Sequence, residues 1–217
     1  MKKYNLPTRK QCFDIFKKLR VPAHIVKHCL ATAKLAVFLA QRLNEKGILV
    51  DVHLVDRACL LHDIFRICEL EKSDYGKSEQ EIAHRGKTKL QQIKSHEDAA
   101  YNLLKGKYPA LALTVKKHRY SSLLDEKERP TTWEEKLVYY ADKRVMHDRI
   151  VPLKERLEEA HKRNAPRPKA QGGINPAKID RLIYKLEEEI FSKIELNPDE
   201  VTSDFINSYD NPLTTKD

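Results

Sequence analysis

The chain has 217 residues, with 41 Lys and Arg against 32 Asp and Glu, a formal net charge of +9 and a mean hydropathy of −0.64. That length can bury a real core, and no run reads as approaching the roughly 18 apolar residues of a membrane span. The basic excess favours anionic partners such as nucleotides, phosphorylated metabolites or nucleic acid, and it has no bearing on fold. Met1-Lys2-Lys3-Tyr4-Asn5-Leu6-Pro7 has no apolar segment behind its basic residues, so it does not read as a signal peptide. Cys12, Cys29, Cys59 and Cys68 form no CxxC pair and fall in helix-like segments, which reads as reduced thiols in a cytoplasmic protein.

Few glycines and a dominance of Leu, Ala, Lys and Glu point to an all-α fold. Thr8 reads as the N-cap of a first helix ending near Arg20, with Phe13, Phe16 and Leu19 at helical spacing. Val21-Pro22 breaks that helix and starts a second, to about Glu45, whose Ile25, Cys29, Ala33, Ala36, Val37 and Ala40 allow close packing; Gly47 ends it. Asp51 caps a third helix, from Val52 to about Ile64, apolar nearly all round and therefore central. From Cys68 to about Lys94 the pattern loosens, with an exposed loop at Ser73–Ser78 and a weak helical segment around Gly86. Ser95 opens a helix that stops at Gly106, and Pro109 starts another that reaches His118. Thr132 and Glu135 form a capping box for a strong helix to about His147. Pro152 to Arg163 is a charged amphipathic helix, and 164–173 a Pro/Gly/Lys-rich loop. Asn175-Pro176 caps a further amphipathic helix to about Ile194, with a short one after Pro198. The expected organisation is a helical domain over 8–148 and a C-terminal helical extension over 149–217, packed on it or against a partner; a homodimer through the extension stays open.

Within this frame His62-Asp63 stands out, because a carboxylate beside an imidazole in an apolar run is costly to bury unless paired, hydrogen-bonded or metal-bound. His28 lies mid-way along the second helix, His96 in the first turn of its helix, His118 at the end of the next, and Asp142 in a largely apolar helix. Imidazole nitrogen and carboxylate oxygen ligate Mn, Fe, Co or Zn, and the shortage of cysteine argues against a structural zinc site. Neighbours on a helix project about 100° apart, so His62 and Asp63 can share an ion only near a helix end, with other ligands supplied by surrounding helices.

The ordered set His28, His62-Asp63, Asp142 resembles the H…HD…D signature of the HD-domain superfamily of metal-dependent phosphohydrolases. The flanks resemble it too: Val21-Pro22-Ala23-His24-Ile25-Val26-Lys27-His28, and Ala58-Cys59-Leu60-Leu61-His62-Asp63-Ile64. Ser95-His96-Glu97-Asp98 through Leu104, followed by Val115-Lys116-Lys117-His118, is similar to the part of the HDIG subgroup that supplies two further histidines; the resemblance spans roughly 20–147. It implies an all-helical HD-domain bundle with one or two divalent transition-metal ions. His28, His62, Asp63 and Asp142 would share one ion, and Asp63 would bridge to a second held by His96 and His118. A mononuclear site would leave His96 and His118 as outer contacts, and His84 is an alternative to His96. Phe65-Arg66 stands where many HDIG members have Gly-Lys.

The implied chemistry is hydrolysis of a phosphate ester or anhydride of a small phosphorylated molecule, first of all a nucleotide. A divalent ion lowers the pKa of its water from about 15.7 toward roughly 7, giving a hydroxide to attack phosphorus. Asp63, Arg66, Lys143 and Arg144 are the expected catalytic groups, and Arg66, Lys116, Lys117 and Arg144 the expected substrate contacts, with the arginines favoured for bidentate grip on phosphate. His24 is a further candidate beside substrate or ligand, while His53, His147, His161 and Asp148 read as surface residues. The competing readings are a phosphodiesterase acting on nucleic acid or on a cyclic or dinucleotide, and a non-catalytic nucleotide- or RNA-binding module.

Overall fold

The computed structural model describes residues 4–68, 95–164 and 175–209. His84 and the expected loop and weak helix between Cys68 and Lys94 lie outside those residues. The architecture is all-α, with a single two-residue hairpin among the described residues. Helix α1 (Arg9–Leu19) starts at a full Thr8–Gln11 capping box and stops where Arg20 turns left-handed. Helix α2 (Ala23–Glu45) follows, then α3 (Val52–Leu61), whose cap Asp51 accepts from the Leu54 amide. Helices α4 (His96–Leu104) and α5 (Pro109–Lys116) come next, and the Thr132–Glu135 box opens α6 (Trp133–Asp142). Strands β1 (Val145–Met146) and β2 (Arg149–Ile150) pair antiparallel, Val145 opposite Ile150. Helices α7 (Leu153–Asn164), α8 (Pro176–Ile194, capped by Asn175) and α9 (Ser203–Asn207) complete the chain.

The spine is α2, which packs against α3, α6, α8, the hairpin and α9. Its small faces at Ala33, Ala36 and Ala40 are fully covered, which lets α3 and α6 approach closely. Helix α3 lies among α1, α2, α5 and α6, and every residue from Leu54 to Leu61 is buried. Each fully buried leucine there contributes about 1.5–3 kcal/mol of transfer free energy. Burial extends to Asp56 and Arg57, which pair with one another, Asp56 also meeting Arg9 at 3.3 Å and Arg57 reaching the Pro7 carbonyl at 3.0 Å. The helix stops at Leu61, three residues short of the expected end, so His62 and Asp63 stand in the turn beyond it. Helix α6 likewise ends at Asp142 rather than near His147, and the hairpin replaces the last expected turn.

By length and composition α2 is apolar enough to cross a membrane, with a mean hydropathy of 1.3 over its best window, which corrects the sequence-based exclusion. In this fold 61% of that window is buried against the other helices. The helices after residue 148 belong to the same core: Ile179, Ile183, Ile190, Phe191 and Ile194 of α8 join one apolar cluster with α2 and α6. All four cysteines are free thiols, three of them buried.

Candidate metal centre

The six expected ligands converge. His28 comes from the second turn of α2, His62 and Asp63 from the turn after α3, His96 from the first turn of α4, His118 from just beyond α5, and Asp142 from the last position of α6. Each sits at or near a helix end except His28, so the chain can turn its side chains inward without breaking a helix ladder.

Three imidazoles are aimed by main-chain carbonyls. His28 Nδ1 meets the His147 carbonyl at 3.0 Å, His62 Nδ1 the Cys59 carbonyl at 2.7 Å, and His118 Nδ1 the Val115 carbonyl at 2.5 Å. A carbonyl only accepts, so each Nδ1 carries the proton and each Nε2 turns its lone pair to the centre. His147 provides its carbonyl from a left-handed backbone, φ 59°, in the hairpin turn. The fourth ring, His96, has Nδ1 3.4 Å from the Glu97 carboxylate and 3.4 Å from Arg66 Nη1.

Asp63 divides the cluster. Its Oδ2 faces His62 Nε2 at 3.7 Å and His28 Nε2 at 3.9 Å, while its Oδ1 faces His96 Nε2 at 3.1 Å and His118 Nε2 at 3.5 Å. Asp142 Oδ1 completes the first group, 3.0 Å from His28 Nε2 and 3.5 Å from His62 Nε2. Two of these sets, His28-His62-Asp63 and Asp63-His96-His118, each bring their ligand atoms within 4.8 Å of one another. Two observations fit a divalent cation. His62 Nε2 is buried with no hydrogen-bond partner among the described residues, and the His96 and His118 Nε2 atoms face each other at 3.1 Å. A divalent cation at that common point would satisfy these atoms.

The electrostatics follow from that crowding. Burial pushes the Asp63 carboxyl up, but His62, His118 and His96 hold it well below the ordinary carboxylate range. Burial likewise opposes Asp142, yet Lys143, His28 and His62 keep it low. Burial works to lower His62, and the Asp63 carboxylate overrides it, leaving the ring well above its usual value. At His118 burial prevails, aided by its histidine neighbours, and the pKa falls, favouring the neutral ring a metal needs. Glu97, overlooked in the sequence although it adjoins His96, is held down at about 2: burial raises it, while His96, His118 and Ser95 lower it further. Its place beside a ligand in a helix's first turn was the available signal.

A cavity of about 830 Å³ opens onto this floor, with Arg66 and Lys143 on its lining. Lys143 holds the outer oxygen of Asp142 and donates to the His118 carbonyl at 3.0 Å. Three cations expected on substrate are engaged elsewhere, and this corrects the sequence reading. Arg144 is fully buried, its guanidinium donating to the carbonyls of Val151, Pro198 and Val201, to the Tyr140 hydroxyl and to Glu187. Lys117 is buried against Glu135 at 2.9 Å, and Lys116 pairs with Glu128 at 2.8 Å beside the Tyr101 ring. Conversely, His147, Asp148 and His161, read as surface residues, line the cavity together with Tyr120, and His24, the further candidate beside substrate or ligand, lines it too. No spacing rule in the sequence points to Tyr120 or His161, because α7 meets the site only through the tertiary fold.

Comparison with known proteins agrees with this geometry. The family model described as HD domain matches residues 25–146, a span that contains all six ligands. The chain is 29% identical over 167 residues to an uncharacterized protein of Methanocaldococcus jannaschii, covering 77% of this chain and 88% of that one. It is 26% identical over 211 residues to a tRNA (cytidine(56)-2'-O)-methyltransferase of Picrophilus torridus, covering 92% of this chain but only 51% of the relative. The chain thus spans about half the length of that methyltransferase. No solved structure matches. With more than half of its residues inside the family model and the ligand cluster assembled, the chain belongs to the HD-domain family.

Proposed function

We propose that this chain is a metal-dependent phosphohydrolase cleaving a phosphate ester or anhydride of a small phosphorylated molecule, first of all a nucleotide. The observation that carries the reading is Asp63, whose two oxygens face separate pairs of imidazoles at the floor of a cavity of about 830 Å³, a size that suits such a ligand. His28, His62, Asp63 and Asp142 would hold one ion, and Asp63, His96 and His118 a second. When bound, Mn, Fe, Co or Zn supplies Lewis acidity toward a phosphoryl oxygen and lowers the pKa of water toward about 7. The chain's own groups do the rest. Arg66, on the cavity lining, offers a planar fork to phosphate oxygens, and Lys143 keeps Asp142 oriented while adding positive charge beside the floor.

A second reading is favoured by the net charge of +9 and by the likeness of 92% of the chain to a tRNA methyltransferase: phosphodiester cleavage in RNA or in a cyclic or dinucleotide. One experiment separates the two. Phosphate release and strand cleavage are followed with each of the four metals, using mononucleotides, dinucleotides and RNA oligonucleotides at low and moderate salt. Mononucleotide turnover that varies little with salt is the expected result. Preference for RNA, with affinity falling steeply as salt rises, would favour the second reading. Tight nucleotide or RNA binding without turnover under any metal would overturn the enzymatic assignment altogether.

A further inference from the structure

We infer that Tyr120, His161 and Asp180 form the subsite that selects the organic part of the substrate, and that this part is a nucleobase presenting N–H donors at its edge. This rests on the phosphohydrolase reading of the same cavity and specifies its substrate. Away from the candidate ligands, the cavity lining includes the apolar Ile25, Leu157 and Ala160, the rings of Tyr120 and His161, Lys27, and Arg156 and Arg163, which both pair with Glu159. Behind the two rings stands Asp180 of α8, whose Oδ1 accepts from the Tyr120 hydroxyl at 3.0 Å and whose Oδ2 accepts from His161 Nε2 at 2.8 Å. Asp180 is the more covered member of its pair, its side chain 21% exposed against 41% for His161.

A carboxylate only accepts, so both neighbours direct their protons at Asp180. That leaves the phenolic oxygen and, in the tautomer that donates from Nε2, Nδ1 of His161 as acceptors for a ligand. A surface with two fixed acceptors beside apolar side chains suits a planar heterocycle that offers N–H donors at its edge. The two acceptors themselves do not suit a second phosphate, which brings acceptors alone, nor a polyhydroxylated chain with no flat apolar face. His161 and Asp180 lie beyond residue 146, where the family match ends, so the family model does not account for them. Asp180 is a positioning residue; Tyr120 and His161 are the groups that meet the base.

The test compares substrates with and without a base. Tyr120→Phe and His161→Phe keep an aromatic ring and remove one acceptor each. Against adenosine and cytidine monophosphate, each variant should lose about tenfold in kcat/KM, the worth of one neutral hydrogen bond at its upper range. Glycerol phosphate, which has no base, should change less than about twofold, within ordinary scatter for an untouched site. Thermal midpoints confirm that the variants are folded. A purely structural role would lower both substrates together, and that outcome, or no change in either, overturns the inference. If no phosphate ester is turned over with any metal, the phosphohydrolase reading fails, and calorimetry with adenosine and cytidine decides the subsite independently. Nucleoside binding that weakens about tenfold in both variants sustains it, by the same hydrogen-bond arithmetic; no binding, or equal binding, refutes it.

Discussion

Each oxygen of the Asp63 carboxylate meets a different pair of imidazoles, so at the scale of single residues the number of ions turns on this side chain. His118 belongs to one half alone. Elemental analysis should find two ions per wild-type chain, one after His118→Ala and none after Asp63→Ala. A wild-type ratio near one, unchanged by His118→Ala, would remove the second ion. The six candidate ligands, which the fold brings together, were legible in the sequence because their residue types are costly inside apolar helices and their order matched a known pattern. The cations were not. Arg66, Lys116, Lys117, Lys143 and Arg144 all adjoin ligands in sequence, but only the tertiary fold shows that Arg144 and Lys117 face counter-charges and carbonyls in the interior. Adjacency to a ligand fixes position along the chain and leaves direction unspecified.

At the scale of elements, the end of α6 is the most consequential junction. Its last residue, Asp142, is a candidate ligand, and two residues on, Arg144 clasps the carbonyls of Val151, Pro198 and Val201. Tyr140 and Arg144 also meet at Glu187 of α8, whose carboxyl burial raises above its usual range despite both partners. Arg144→Ala would strand that acid and three carbonyls, so we expect a loss of about 3–5 kcal/mol in urea unfolding, the usual cost of removing one partner of a buried pair. A substrate-binding arginine would instead lower turnover at unchanged stability. The sequence predicted the starts of α1, α3, α4, α6 and α8 through their caps, since a side-chain oxygen three residues before an acid or amide is a local signal. It missed the early stop of α6, because the hairpin is stabilised by Arg144 and by the packing of Val145 and Ile150, interactions that close only when the C-terminal segment is in place.

For the whole molecule, the helices after 148 share the core with those before it. Isoleucines of α8 complete the apolar cluster against α2 and α6, and the partners of Arg144 lie at 151, 187, 198 and 201. A chain ended at residue 148 would expose that face and strip Arg144 of its acceptors at 151, 187, 198 and 201, leaving the Tyr140 hydroxyl. We expect it to lose the cooperative thermal transition followed by circular dichroism; a truncated chain that melts as sharply as the full one would show the C-terminal helices to be an independent addition. The sequence drew its boundary at 148 because charge and proline content change there, and composition does not report which side of an amphipathic helix finds a partner.

The aiming of His28, His62 and His118 by the carbonyls of His147, Cys59 and Val115 carries a consequence for how this site can vary. A carbonyl belongs to every amino acid, so the orientation of three ligands is stored in the path of the chain rather than in any side chain. Substitution at 59, 115 or 147 leaves the acceptor where it was, and glycine at 147 would even suit its left-handed backbone. Insertion or deletion between Asp142 and Leu153 shifts the His147 carbonyl relative to His28 and cannot be repaired by changing a residue. The centre is therefore tolerant of point changes around its ligands and intolerant of changes in length, with the hairpin acting as its measuring rule.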